Sequence, residues 1–402
     1  MAIALSKKVQ ALKPSASIAA KQRVNELEAQ GRKILDFTLG EPDLDTPEAI
    51  VEAGVAALRS GDTHYTGSAG KLELRKAICE KLARENGCTY SPDEIVVAVG
   101  AKQIIAEALS ATLEPGDEVI IPAPYWVSYP DMVRLNGGEP VIVPCPAEDG
   151  FLLRADALEA SITPKTRWLI INSPSNPSGA VLSEQQWKDI IAVLERHPHV
   201  AVMTDEIYEK IVYDGVVNHS PVGIAPSLKD RCLVVNGMSK GYAMTGWRLG
   251  YAAGPANLIK AIVKLIGQST TCTTAFAQTA ALAALRGDQT PVAEMVSLYR
   301  ARRDLVVSMM NDIAGVACAK PAGAFYIFPD VRALIGRKAP NGTTIESDVD
   351  LVNYLLEEAS VALMDGTSYG MPGFLRISYA TGSDTIRAGC TAIAAAVAKL
   401  SA

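Results

Sequence analysis

The 402-residue chain carries a formal net charge of −6, which leaves no basic footprint for nucleic acid. Its residues are 49% hydrophobic and 20% charged, the balance of a globular protein with two or three domains, or one large α/β domain with an appendage. No apolar run is long enough for a membrane span, and the N-terminal stretch lacks a secretory pattern.

In chain order, the first forty residues hold one short strand signal, at 34–38. Strand-like runs, several of them continuous in Val, Ile and Leu, then recur at 94–100, 118–122, 140–144, 168–172, 200–204, 232–236 and 249–253. Continuous apolar runs of this kind suit strands buried on both faces. Helix-like segments lie between them at 102–113, 125–135, 155–162 and 183–195. The alternation predicts an α/β fold with a mostly parallel seven-stranded sheet covered by helices. Past residue 290 the pattern changes. A long amphipathic stretch runs over 291–312, short strands follow at 324–328, 361–364 and 375–378, and an alanine-rich helix closes the chain. The loop at 337–347 is polar and expected to be exposed. These signals predict a large domain over 46–295 and a small α+β domain built from both chain ends, 1–45 and 296–402.

The seven cysteines form no Cys-x-x-Cys pair and are odd in number, so reduced thiols and a cytoplasmic setting are expected. His197 and His199 flank Pro198 in a turn, which is not metal-ligand spacing, and no metal site is expected. No Ser-His-Asp arrangement is legible either, so acid–base work falls to another residue type.

The segment Ser239-Lys240-Gly241-Tyr242-Ala243-Met244-Thr245-Gly246-Trp247-Arg248 follows a buried-looking strand. A lysine in an apolar setting becomes a nucleophilic amine, and a nearby arginine offers a fork of donors to a phosphate. That pairing suits pyridoxal 5′-phosphate, which presents a carbonyl and a phosphate; a loop lysine beside a surface arginine is the alternative. Gly100-Ala101-Lys102 closes a strand and opens a helix, where free N–H groups cradle a phosphate. Asn172-Ser173-Pro174-Ser175-Asn176-Pro177-Ser178-Gly179 forms a rigid loop whose Asn176 amide can donate to a ring oxygen, or is simply a structural turn. Asp205 directly follows a hydrophobic strand, where it can pair with a protonated pyridine nitrogen or cap the next helix. Tyr208, three residues on, can reach the ring's phenolic oxygen. Trp126, at a strand-to-helix turn, can stack on a flat cofactor or pack into the core. Arg376 lies inside a short apolar strand and wants a carboxylate, either a substrate's or a structural partner's.

Taken in this order, these segments resemble class I, fold-type I pyridoxal-phosphate aminotransferases, from Lys13-Pro14-Ser15 to the strand of Arg376. Leu39-Gly40-Glu41-Pro42-Asp43, Tyr125-Trp126-Val127-Ser128-Tyr129-Pro130, Asn176-Pro177-Ser178-Gly179 and Ala243-Met244-Thr245-Gly246-Trp247-Arg248 in combination are similar to the bacterial aspartate aminotransferase branch, whose members often also act on prephenate. The resemblance implies that Lys240 captures the cofactor's carbonyl and then moves the proton between substrate Cα and cofactor C4′. It implies Asp205 at the pyridine nitrogen, Tyr208 and Asn176 at the ring oxygen, and Trp126 on the ring. Ser239, Arg248 and the backbone of Gly100, Ala101 and Lys102 would hold the phosphate. Tyr65 would reach the phosphate of the partner subunit in a homodimer with shared sites.

Arg376 would clamp the α-carboxylate and Gly40 would line the substrate site. Lys102 would read a distal carboxylate, and Lys13 and Ser15 would lie on a segment that closes over substrate. Aspartate as donor and 2-oxoglutarate as acceptor, in a ping-pong cycle, are the implied reaction. Three departures from the family pattern stand out. Position 17 is Ser where Thr is usual, Lys71 replaces an apolar residue, and Asp365 places an extra negative charge near the site. Elimination chemistry on the same scaffold is the nearest rival. A DNA-binding regulator lacks room before Gly40, and a dinucleotide enzyme lacks its Gly-x-Gly-x-x-Gly.

Overall fold

The computed structural model describes residues 3–12 and 16–401. Seven strands form the main sheet: β1 (Ile95–Ala98), β2 (Glu118–Ala123), β3 (Glu139–Pro144), β4 (Thr166–Asn172), β5 (Ala201–Asp205), β6 (Cys232–Gly237) and β7 (Gly250–Ala253). Their spatial order is β1-β7-β6-β5-β4-β2-β3. β7 runs antiparallel to both its neighbours, and every other pairing is parallel.

The alternation of side chains explains why these strands read as unbroken apolar runs. Ile95, Val97, Ile120, Leu169, Ile171, Val202 and Val234 face one apolar cluster. Val96, Ala98, Val119, Ile121, Ile170, Met203, Leu233 and Val235 face a second. Both faces are therefore covered, as parallel sheets require. The second cluster is closed by Ile104, Ile105 and Leu109 of helix Ala101–Thr112 and by Ile259, Ile262 and Ile266 of helix Ala256–Ser269. The first takes Leu74, Ile78 and Leu82 of Leu72–Asn86 and Trp187, Ile190 and Leu194 of Glu184–Arg196.

Both chain ends meet outside this sheet. Leu35–Asp36 pairs in parallel with Val361–Ala362. A separate antiparallel sheet joins Met364–Asp365, Leu375–Ser378 and Tyr326–Ile327 in that order. The single strand expected at 361–364 is thus two strands in two sheets. Ala362 gives its carbonyl to the Phe37 amide, whereas Met364 and Asp365 pair with Arg376 and Leu375. The helix expected from residue 125 begins at Tyr129 instead, with Pro130 in its first turn. Proline lacks a donor that a first turn does not need. Among the described residues no helix is long and apolar enough to cross a membrane, and all seven cysteines are free.

Gly250 opens β7 at the point where helix Ala101–Thr112 starts. A Cβ there would lie 2.3 Å from the Ala101 amide nitrogen. The close approach fixes the helix start against the sheet edge. Gly250→Ala is expected to destabilise the protein by about 1–3 kcal/mol through overpacking against backbone. Denaturant titration checks it; a midpoint equal to the parent's would show that the contact has slack.

Candidate active site

The carboxyl ends of the parallel strands, where α/β sheets bind ligands, carry a cavity of about 260 Å³. Gly40, Ala101, Lys102, Trp126, Tyr129, Asn172, Asn176, Asp205, Tyr208, Ser239, Lys240, Arg248 and Arg376 line it. Residues just past β1, β4, β5 and β6 converge because these strands all end on this edge, and Gly40 and Arg376 join them from the two chain ends.

Lys240 projects from the turn after β6. Its amine donates to the Gly40 carbonyl at 2.5 Å. Burial pushes the amine down to about 8, opposed by Glu41 and Asp205 and reinforced by Arg248 and Arg376. A far larger share of the amine is therefore neutral near physiological pH than for an ordinary lysine, which favours a nucleophile.

Asp205 ends β5 and is buried. Its Oδ2 accepts from the Tyr129 hydroxyl at 2.6 Å and its Oδ1 from the Ile207 amide at 3.3 Å. Burial raises this carboxyl to about 6, against the lowering effect of Tyr129 and of Lys240. The residues that follow form a turn, so Asp205 caps no helix. A buried carboxylate of this kind suits a cationic ring nitrogen.

Tyr208 is buried with its hydroxyl 2.9 Å from that of Tyr326. Asn176 is buried in a loop whose Ser173–Pro174 and Asn176–Pro177 bonds are both cis, and its backbone amide donates to Asn172 Oδ1 at 2.7 Å. Its side-chain Oδ1 accepts from Arg376 Nη1 at 3.4 Å. The other Arg376 nitrogen, Nη2, donates to the Thr38 carbonyl. Among the described residues Arg376 has no carboxylate partner, so the structural ion pair weighed from the sequence is absent and its fork is free to take one.

Ser239 is buried beside Lys240. Arg248 holds a left-handed φ of 53° and donates from Nη1 to the Thr245 carbonyl at 2.9 Å. Non-glycine residues in this region store strain of about 1–3 kcal/mol and cluster at functional sites. Gly100, the N-cap of helix Ala101–Thr112, has φ of 80°, and a Cβ there would sit 2.6 Å from Arg248 Nη2. Glycine thus lets the guanidinium lie against the helix start, where unpaired N–H groups also point. Lys102 Nζ lies 4.7 Å above the Trp126 ring, and its amine is pushed down by burial and by Arg248. Trp126 is half-buried, lines the cavity and meets Tyr129 edge-on at 5.2 Å.

Four cations and one carboxylate face the cavity, and among the described residues none of the five makes an ion pair. Such a set can take a phosphate at Arg248 and the helix start, a ring cation at Asp205, a carboxylate at Arg376 and a carbonyl at Lys240. Residues 32–393 match the family profile of aminotransferase class I and II. The chain belongs to this family.

The aminotransferase is 48% identical over 397 residues to the aspartate/prephenate aminotransferase of Cereibacter sphaeroides, covering 99% of each. Its structure matches a crystal structure of the aspartate aminotransferase from Rhizobium meliloti with TM-score 0.97 and 46% identity over 100% of both chains. It matches the Thermus thermophilus aspartate aminotransferase with maleate at TM-score 0.92 and 40% identity, covering 98% of this chain and 100% of that one.

Several expected site residues fall elsewhere. Tyr65 is 86% exposed and lies outside this cavity. Lys13 and Ser15 fall outside the described residues, and so does the Ser17 side chain. Asp365 is not among the residues that line the cavity; its Oδ1 accepts from the Ser368 amide at 2.7 Å, and its strand pairs with that of Arg376. Lys71 is occupied by an ion pair with Asp62 and a 2.9 Å bond to Thr279 Oγ1. Sequence reasoning also missed two residues. The motif that contains Tyr129 gives it no role, and only the fold brings its hydroxyl to Asp205. Tyr326 falls in the strand expected at 324–328, but nothing in the sequence shows that its hydroxyl reaches Tyr208.

The lowered amine sets a pH dependence. An ordinary lysine, near 10.4, is almost wholly protonated at pH 8. In the cofactor-free protein, acylation of Lys240 followed by peptide mass spectrometry is expected to rise through a midpoint near about 8. A midpoint in the ordinary lysine range would contradict the burial argument.

Proposed function

We propose that this aminotransferase binds pyridoxal 5′-phosphate and transfers the amino group of L-aspartate to 2-oxoglutarate in a ping-pong cycle. The observation that carries the reading is the set of charges around one cavity, Lys240, Asp205, Arg248, Arg376 and Lys102, with no ion pair among them. Of these, Asp205 and Arg376 are buried, and burying charge without a partner is unfavourable unless a ligand completes it. The residues fit the cofactor: Asp205 suits its ring nitrogen, Ser239, Arg248 and the Ala101 and Lys102 amides its phosphate, and Tyr208 and Asn176 its ring oxygen.

Bound there, pyridoxal phosphate supplies an electron sink for the electrons left when the substrate's Cα–H bond breaks. The protein does the rest. The Lys240 amine, whose proton burial loosens, would capture a carbonyl and afterwards take and return the Cα proton. Asp205 keeps the ring nitrogen cationic. Trp126 closes one face of the cavity and excludes water. Arg376 takes the substrate α-carboxylate in its fork, with Gly40 along the wall. Lys102 is the cation left over, and it suits the distal carboxylate of a dicarboxylic substrate. The Cereibacter sphaeroides relative is named for both aspartate and prephenate, and prephenate, also a dicarboxylate, is a second acceptor in this reading. Exposed Tyr65 is assigned to the partner's phosphate in a homodimer with shared sites. Residues 46–295 form the cofactor-binding part, and 1–45 with 296–402 the smaller part.

Half-reaction spectra test the proposal. Aspartate should bleach the cofactor's absorbance and 2-oxoglutarate should restore it. Bleaching by another amino acid but not by aspartate would sink the substrate assignment and leave transamination standing. Release of pyruvate and ammonia from one substrate would instead favour elimination.

Lys102→Ala tests the distal subsite. It is expected to lower kcat/KM for aspartate and glutamate by about tenfold or more, the scale of one lost charge-assisted contact, and to affect alanine far less. Equal losses would contradict the role.

A further inference from the structure

Tyr208, in the turn after β5, and Arg376, in the strand Leu375–Ser378, are far apart in sequence, yet one side chain touches both. Tyr326 is fully buried on the short strand Tyr326–Ile327. Its hydroxyl is 2.9 Å from the Tyr208 hydroxyl, and the Arg376 guanidinium carbon lies 4.8 Å from the centre of its ring. The register explains the double contact. Tyr326 pairs with Ser378, and Arg376 precedes Ser378 by two residues, so Arg376 shares its face of the small sheet.

The two contacts differ in kind. An aromatic face attracts a guanidinium electrostatically without accepting its in-plane N–H donors. Arg376 is thus steadied while its fork stays available. Tyr369 adds a second ring, 5.2 Å from the same carbon. A phenol hydroxyl both donates and accepts. When Tyr208 donates to a ligand oxygen, Tyr326 can donate to Tyr208 and hold it in that orientation.

Resting on the cofactor and substrate reading above, we infer that Tyr326 is a positioning residue for transamination. Its ring holds Arg376 ready for the substrate α-carboxylate, and its hydroxyl holds Tyr208 as a donor to the cofactor's ring oxygen. One residue therefore links the group that recognises substrate to a group that tunes the cofactor.

Substitutions separate the two contacts. Tyr326→Phe keeps the ring and removes the hydroxyl, whereas Tyr326→Leu removes both. Two measurements on the holoenzyme read them: the pH midpoint of the cofactor's absorbance, and the calorimetric affinity for maleate, a dicarboxylate with no amino group to transfer. In Tyr326→Phe the ring oxygen loses support and the cofactor holds its proton to higher pH. The midpoint is expected to rise by about half a unit while maleate affinity stays within about threefold. In Tyr326→Leu maleate affinity is expected to fall by about tenfold or more. If that variant does not fold, Tyr326→Met takes its place.

An unmoved midpoint in Tyr326→Phe, or unchanged maleate affinity in the aliphatic variant, overturns the inference. A wild-type protein that shows no cofactor absorbance, or no response to aspartate, defeats the functional reading instead. Variants that match a responsive wild type defeat only the role of Tyr326.

Discussion

Buried charge without local compensation is the constraint on which this structure depends. A carboxylate or ammonium taken out of water loses several kcal/mol of hydration unless a partner replaces it. Here burial raises the Asp205 carboxyl to about 6 and lowers the Lys240 amine to about 8. The fold holds both in one cavity and, among the described residues, gives neither an ion partner. Among the described residues Arg376 has two acceptors and no carboxylate. Each group is thereby left disposed to bind something that brings the missing charge. The seven-stranded sheet supplies the stability that makes such an arrangement sustainable, since apolar clusters on both its faces hold the strand ends in place.

The architecture turns that constraint into a site. Parallel strands all end on the same edge, so residues just past β1, β4, β5 and β6 meet without any local sequence relationship. The antiparallel β7 contributes by absence: Gly250 has no side chain where the helix starting at Ala101 approaches. Gly100 does the same for Arg248, whose strained backbone aims its guanidinium at the helix start. Tyr326 then connects this edge to the small sheet.

Much of this was legible in the sequence because it rests on patterns that sequence carries directly. Unbroken apolar runs betray strands buried on two faces, and Asp205, Asn172 and Ser239-Lys240 announce themselves by following such runs. The motifs around Gly40, Trp126, Asn176 and Arg248 carried the family as well as the fold. What escaped was what depends on the third dimension. Tyr129 and Tyr326 are ordinary aromatic residues until folding sets their hydroxyls against Asp205 and Tyr208. The strand expected at 361–364 splits because two different partners claim its halves, which no run of apolar residues can reveal. The charge at Asp365 drew attention by its type, yet an amide three residues on accounts for it locally. Element ends shifted where a proline set them, as at Tyr129-Pro130.

The central claim is that one buried amine, Lys240, holds the cofactor's carbonyl. Borohydride reduction of the purified holoenzyme, followed by digestion and peptide mass spectrometry, measures this directly. The account predicts a phosphopyridoxyl mass increment on the peptide containing Lys240 and none on Lys102, the other lysine in the cavity. An increment on Lys102, or cofactor that remains wholly removable after reduction, would contradict it.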